Sequence, residues 1–125
     1  MTPRIIITGA SGYLGSILTD TFGRKGWDVV RWSRSRGDRN FALGEKPSTA
    51  SMQGIRALIH CAHDFRPSTW EEAHRVNGRG SCQLLTAAHA AKIPRIVFIS
   101  SMSAFPGCVS MYGRIKLEVE KQDRK

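Results

Sequence analysis

The 125-residue chain has no apolar run near the ~20 residues that a membrane-spanning helix requires. Met1 to Arg4 lead straight into an apolar strand pattern, without the zones of a secretory signal. A cytoplasmic protein with no membrane partner is the expectation. Cysteine is scarce and odd in number: Cys61, Cys82 and Cys108 form no CxxC pair, and buried free thiols are predicted. His60 and His63 lack a third ligand at suitable spacing, so no metal site is expected. Acidic residues are also few. Ten Asp and Glu against 19 Lys and Arg leave a charge of +9, which favours an anionic partner. No run of five basic residues occurs and no repeating aromatic–basic pattern runs along the chain, so a phosphate-bearing small molecule is expected rather than a nucleic acid.

What is present is an ordinary globular composition, with 41% hydrophobic and 23% charged residues in one domain's length of chain. The organising stretch is Thr8-Gly9-Ala10-Ser11-Gly12-Tyr13-Leu14-Gly15, which follows Ile5-Ile6-Ile7 and precedes Ser16-Ile17-Leu18. It reads as strand, glycine turn and first helical turn. Gly9 can take a turn conformation that a Cβ obstructs, Gly12 lets backbone approach a pyrophosphate, and Gly15 lets the helix lie on the strand. The helix N-terminus then offers unpaired N–H groups to the anion.

Apolar residues at Leu14, Ile17, Leu18 and Phe22 predict a helix ended by Gly23 and Gly26, and Trp27 to Ser33 reads as a second strand. This strand–helix–strand opening is that of a doubly wound α/β sheet. At the end of the second strand an acid would bind a ribose 2′-hydroxyl, whereas a basic group accommodates a 2′-phosphate. The sequence there is Ser33-Arg34-Ser35-Arg36, with no acid before Asp38, which favours NADP over NAD; the other reading of Arg31, Arg34 and Arg36 is a solvated basic turn. Asn40 to Leu43 can form a short third strand and Pro47 to Met52 a helical turn. Ala57 to Ala62 is a compact apolar strand, and His63 to Pro67 a loop at the sheet's carboxyl edge. Ser68 with Glu71 predicts a capping box, and the helix that follows carries Asn77 between Val76 and the pair Gly78 and Gly80, where the backbone bends or packs closely. After Pro94, Arg95 to Ser100 is the most hydrophobic strand.

That strand delivers Ser100 and Ser101 to the edge where the glycine turn lies. Tyr112 and Lys116 follow one helical turn apart on a shared face. A tyrosine hydroxyl, with an ordinary pKa of about 10, becomes a useful proton donor and acceptor at neutral pH when an ammonium stabilises its phenolate. A serine hydroxyl can hold a carbonyl or alcohol oxygen as hydride moves.

With these residues in place, the chain resembles the amino-terminal part of the short-chain dehydrogenase/reductase superfamily, in its extended NAD-dependent epimerase/dehydratase branch. The resemblance rests on Thr8 to Gly15, Leu58 to Ala62, Asn77, Phe98 to Ser101 and Tyr112 to Lys116. It implies a Rossmann-type doubly wound parallel sheet of about five strands in the order 3-2-1-4-5, with helices on both faces. It implies a single NAD(P)-binding domain over 1–125, truncated so that it lacks the sixth strand and the carboxyl-terminal substrate region. The fifth strand's open apolar edge, or the helices, would then be available for a homo-oligomer. The catalytic group implied is Ser101, Tyr112 and Lys116 with Asn77 in support. The cofactor-binding set is Gly9, Ser11, Gly12, Tyr13, Leu14, Gly15, Ser33, Arg34, Cys61, Ala62, Ser100, Tyr112 and Lys116. The reaction implied is hydride transfer at a carbonyl or secondary alcohol carbon of a nucleotide sugar or small carbonyl compound; the rival reading is a non-catalytic dinucleotide-binding module.

Overall fold

Three consecutive isoleucines can all be buried only in a strand covered on both faces, and that is where they lie. In the computed structural model, which describes residues 2–123, strand β1 (Arg4–Thr8) is central and Ile5, Ile6 and Ile7 are almost wholly buried. Helix α1 (Tyr13–Arg24) leads to β2 (Asp28–Ser33), a two-residue β3 (Arg39–Asn40) and a 3-10 turn at Thr49–Met52. Strand β4 (Ala57–His60), helix α2 (Trp70–Ala73), a π-helical turn (His74–Arg79) and helix α3 (Gly80–Ala90) follow, then β5 (Arg95–Phe98) and α4 (Met111–Asp123).

The five strands are ordered β3-β2-β1-β4-β5, and every neighbouring pair is parallel. This is the expected doubly wound order. Ile6 pairs with Val30 on one side and Leu58 on the other. Its face packs with Trp32, Met52, Leu58, Leu84, Ala88 and Val119, the last three from α3 and α4. Ile5 and Ile7 face the opposite way, with Ala57, Ile59 and the α1 residues Leu18 and Phe22. Each such isoleucine contributes about 2–3 kcal/mol of apolar burial.

Several local expectations are corrected. Gly23 stays inside α1, which ends at Arg24 with Lys25 as its C-cap; Gly26 follows the cap with a φ of 88° that a side chain would resist. The third strand is Arg39–Asn40 rather than 40–43, and only Phe41 N–H continues it, donating to the Ser33 carbonyl. The cap of α2 is Thr69, whose hydroxyl accepts the Glu72 N–H at 3.3 Å. Ser68-x-x-Glu71 and Thr69-x-x-Glu72 carry the same signature, and the fold takes the second. At the paired glycines the expected close packing is found: Gly78 lies in the π turn, and a Cβ on Gly80, the first residue of α3, would stand 2.7 Å from the Gly44 nitrogen. Strand β5 is half-exposed along its length, and the three cysteines form no disulfide with one another and are only partly buried. Among the described residues no strand pairs with the outer edge of β5, and no helix is long and apolar enough to cross a membrane.

Candidate functional site

The glycine turn joins β1 to α1 at the carboxyl edge of the sheet. Gly9 has φ 64°, and a Cβ there would lie 2.9 Å from the Ala62 nitrogen. A Cβ on Gly15 would lie only 2.0 Å from the Gly9 carbonyl oxygen, so helix and turn are in backbone contact. Gly12 caps α1 without a side-chain cap and the first turn holds no acid. The first helical bond is Ser16 N–H to Gly12 O at 2.9 Å, so the preceding amides of Tyr13, Leu14 and Gly15 form an open positive end.

Those amides open onto a cleft of about 420 Å³ lined by Gly9, Ser11 to Gly15, Ser33, Arg34, Phe41, Leu43 and Cys61 to Phe65. Its floor is fixed by a buried polar chain. The Thr8 hydroxyl accepts the N–H groups of Cys61 (3.0 Å) and Ala62 (3.2 Å), which uses both its lone pairs. Its hydrogen therefore goes to His60 Nδ1 at 2.6 Å, leaving the Nε2–H of His60 to donate to Ser81 Oγ at 2.8 Å. Burial holds the His60 ring neutral, with its pKa lowered to about 3. Ser33 Oγ likewise accepts from the N–H groups of Ser35 and Arg36 and is 3.1 Å from Ser11 Oγ, which ties the glycine turn to the end of β2.

The expected basic turn is divided. Arg31 is committed to Asp38, through both its guanidinium and its backbone N–H. Arg34 reaches across the cleft, with Nη1 3.7 Å from Asp64 Oδ1. Asn77, turned inward by the π turn and 2% exposed, accepts the Asp64 N–H (2.7 Å) and donates to the Asp64 carbonyl (2.8 Å).

Lys116 and Tyr112 share a face of α4, with the ammonium 5.5 Å from the tyrosine ring centre. Lys116 is 3% exposed, donates to the Ile99 carbonyl at 3.0 Å and lies over Phe98; burial lowers its pKa to about 8. Burial pushes the neighbouring Cys61 thiol up to about 11. The Tyr112 ring meets the edge of His63 and stacks on Phe65, and burial lowers His63 to about 4. Ser101 Oγ accepts the Ser103 N–H at 3.0 Å, and Ser100 Oγ donates to Glu120 at 2.6 Å. Among the described residues, no contact joins Ser101 to Tyr112. The structure therefore gathers Gly9, Ser11 to Gly15, Ser33, Arg34, Cys61 and Ala62 around one cleft, and holds Tyr112 and Lys116 beside it behind His63 and Phe65. Ser100 and Ser101 turn their hydroxyls to other partners.

Sequence reasoning did not include Phe41, Leu43, His63, Asp64 and Phe65 in this lining. The loop after β4 is the signal for the last three, since loops at that edge carry ligand contacts.

An open parallel sheet with a glycine turn at its carboxyl edge and a tyrosine–lysine pair beside it has the architecture of a dinucleotide-binding Rossmann-type domain. The family model "NAD dependent epimerase/dehydratase family" matches residues 5–121, and the chain belongs to that family. It is 28% identical to methionine adenosyltransferase 2 subunit beta of Bos taurus, over 94% of this chain and 42% of that protein. It is 30% identical to dTDP-4-dehydrorhamnose reductase of Mycolicibacterium smegmatis, over 97% of this chain and 41% of that protein. The solved structure of MoeE5 in complex with UDP-glucose and NAD superposes with a TM-score of 0.83 at 27% identity, over 96% of this chain and 48% of that one. The chain thus spans less than half the length of these relatives.

Proposed function

We propose that the chain is the cofactor-binding half of an NAD(P)-dependent reductase or epimerase, acting at a carbonyl or secondary alcohol carbon of a nucleotide sugar or small carbonyl compound. The observation that carries this reading is the open end of α1 against the 420 Å³ cleft. Three consecutive amides and two close-packed glycines, with no acid in the first turn of α1, leave a concave surface that suits a pyrophosphate. Arg34 at the end of β2 supports NADP, with NAD the alternative. The cofactor, when bound, supplies the hydride donor or acceptor.

Tyr112 then moves the proton at the substrate oxygen. The ammonium of Lys116 favours the phenolate and would hold the nicotinamide ribose when the cofactor is bound, while Ser101 would hold the substrate oxygen once released from Ser103. Asn77 supports the site by fixing the loop that carries His63 and Phe65. A substrate entering beside the nicotinamide displaces Phe65, 75% of which is exposed. The open edge of β5 and the helices remain the proposed surfaces for a second copy, and no nucleic-acid partner is proposed.

A second reading, a dinucleotide-binding module that works through a partner, is favoured by the rings covering Tyr112 and by the relative named as a subunit of methionine adenosyltransferase. Turnover separates the two. NADPH oxidation over a panel of nucleotide-4-keto sugars and small ketones, lost in Tyr112→Phe with binding intact, supports the enzyme. Cofactor binding without turnover by the unaltered chain supports the module.

A further inference from the structure

The cleft carries a fixed negative charge opposite Arg34. Asp64 is held at three points. Asn77 grips its backbone N–H and carbonyl, Arg66 donates from Nε (2.9 Å) and Nη2 (2.8 Å) to its two carboxylate oxygens, and the Arg66 N–H donates to Oδ1 at 3.0 Å. Its side chain is only 14% exposed, and its carboxylate is the one acidic group in the lining. Against these short bonds, Arg34 makes one contact of 3.7 Å to Oδ1. Of the two guanidiniums, Arg34 is the one that lets go.

We propose that Asp64 is a specificity-determining residue that restrains Arg34 across the cleft and sets how strongly a 2′-phosphate is preferred over a 2′-hydroxyl. The inference rests on the reading of the cleft as a dinucleotide site with Arg34 at the adenosine ribose. A 2′-phosphate must draw Arg34 away from Asp64 and bring further negative charge toward an immobile carboxylate. A 2′-hydroxyl requires neither. Arg66 moderates the restraint, because its two parallel bonds satisfy most of the carboxylate's demand. The end of β2 alone, Ser33-Arg34-Ser35-Arg36, suggests an unopposed phosphate grip; the opposing charge comes from a loop thirty residues away in the chain.

The test is a titration of the full chain and its variants with NADPH and NADH at low salt, following nicotinamide fluorescence. Asp64→Asn keeps the backbone bonds to Asn77 and removes the charge. It is expected to tighten NADPH about three- to tenfold and to change NADH less than about twofold, as removing one partly screened charge implies. Arg66→Gln, which returns Asp64 to Arg34, is expected to weaken NADPH. Arg34→Gln is expected to erase the preference. An NADPH/NADH ratio unmoved by Asp64→Asn but moved by Arg34→Gln overturns this inference and leaves the dinucleotide reading standing. A selective loss of NADH affinity in Asp64→Asn also overturns it, since Asp64 would then bind the ribose hydroxyl itself. If the folded parent chain binds neither nucleotide, the reading of the cleft fails and the inference with it.

Discussion

Lowering the pH should destabilise this protein well before its carboxylates titrate, because of one buried histidine. His60 is 0% exposed, and burial, with the nearby Lys116 charge, lowers its pKa to about 3. In the unfolded chain a histidine titrates near 6.5. The folded pKa is depressed, so the stability it confers is full above about pH 6.5 and is lost as pH falls toward 3. Each pH unit below 6.5 costs about 1.4 kcal/mol, or about 2 kcal/mol at pH 5. His63, lowered to about 4 and only partly buried, adds a smaller effect of the same sign. Stopping at pH 5 stays above the range of Asp64, lowered to about 2 by the hydrogen bonds from Arg66. The assay is urea unfolding at pH 7.5 and 5.0 for the parent and for His60→Asn, whose side chain does not titrate. The parent should lose about 2 kcal/mol more than the variant between the two pH values. Equal losses in both would refute the buried neutral ring and the Thr8–His60–Ser81 chain built on it.

Gly15→Ala places a Cβ 2.0 Å from the Gly9 carbonyl oxygen, and should lower stability by about 3 kcal/mol or more in urea unfolding while spoiling the cleft; an unchanged midpoint would contradict the backbone contact. Lys116→Met should raise stability at pH 7 by about 1–2 kcal/mol, because an ammonium 3% exposed with its pKa lowered to about 8 is replaced by an apolar chain of similar volume. The same variant should lose turnover, so a stabilised and still active Lys116→Met would contradict the role given to the ammonium.

Four of the five strands were legible because each is announced by an apolar run, whereas the two polar residues of β3 announce nothing; the strand order itself came from the family resemblance. The glycine turn was legible for a stronger reason: Gly9 and Gly15 sit where the backbone excludes a Cβ, so residue type and geometry are locked together. Helix ends were less legible. Gly23 and Gly26 look alike in sequence, and only the backbone angle of Gly26 separates them. Ser68 and Thr69 each match the cap pattern, and the choice is made by the chain's approach to α2. Long-range polar partners were hidden. Nothing near Thr8 announces His60, and nothing near Asn77 announces its grip on Asp64, since these bonds join residues 52 and 13 apart in the chain. The serines show the same limit, for sequence brings Ser100 and Ser101 to the sheet edge but does not say that Glu120 and Ser103 take up their hydroxyls.

The most direct test of the central claim is a titration of the purified chain with NADPH and NADH, read by nicotinamide fluorescence, beside Gly12→Val. A Cβ at Gly12 would stand 3.3 Å from the Gly9 oxygen, and a valine would fill the space over the open amides of α1. Saturable binding by the parent, lost in a folded Gly12→Val, is the predicted result. No binding by the folded parent, or equal binding by the variant, would contradict the assignment of the cleft.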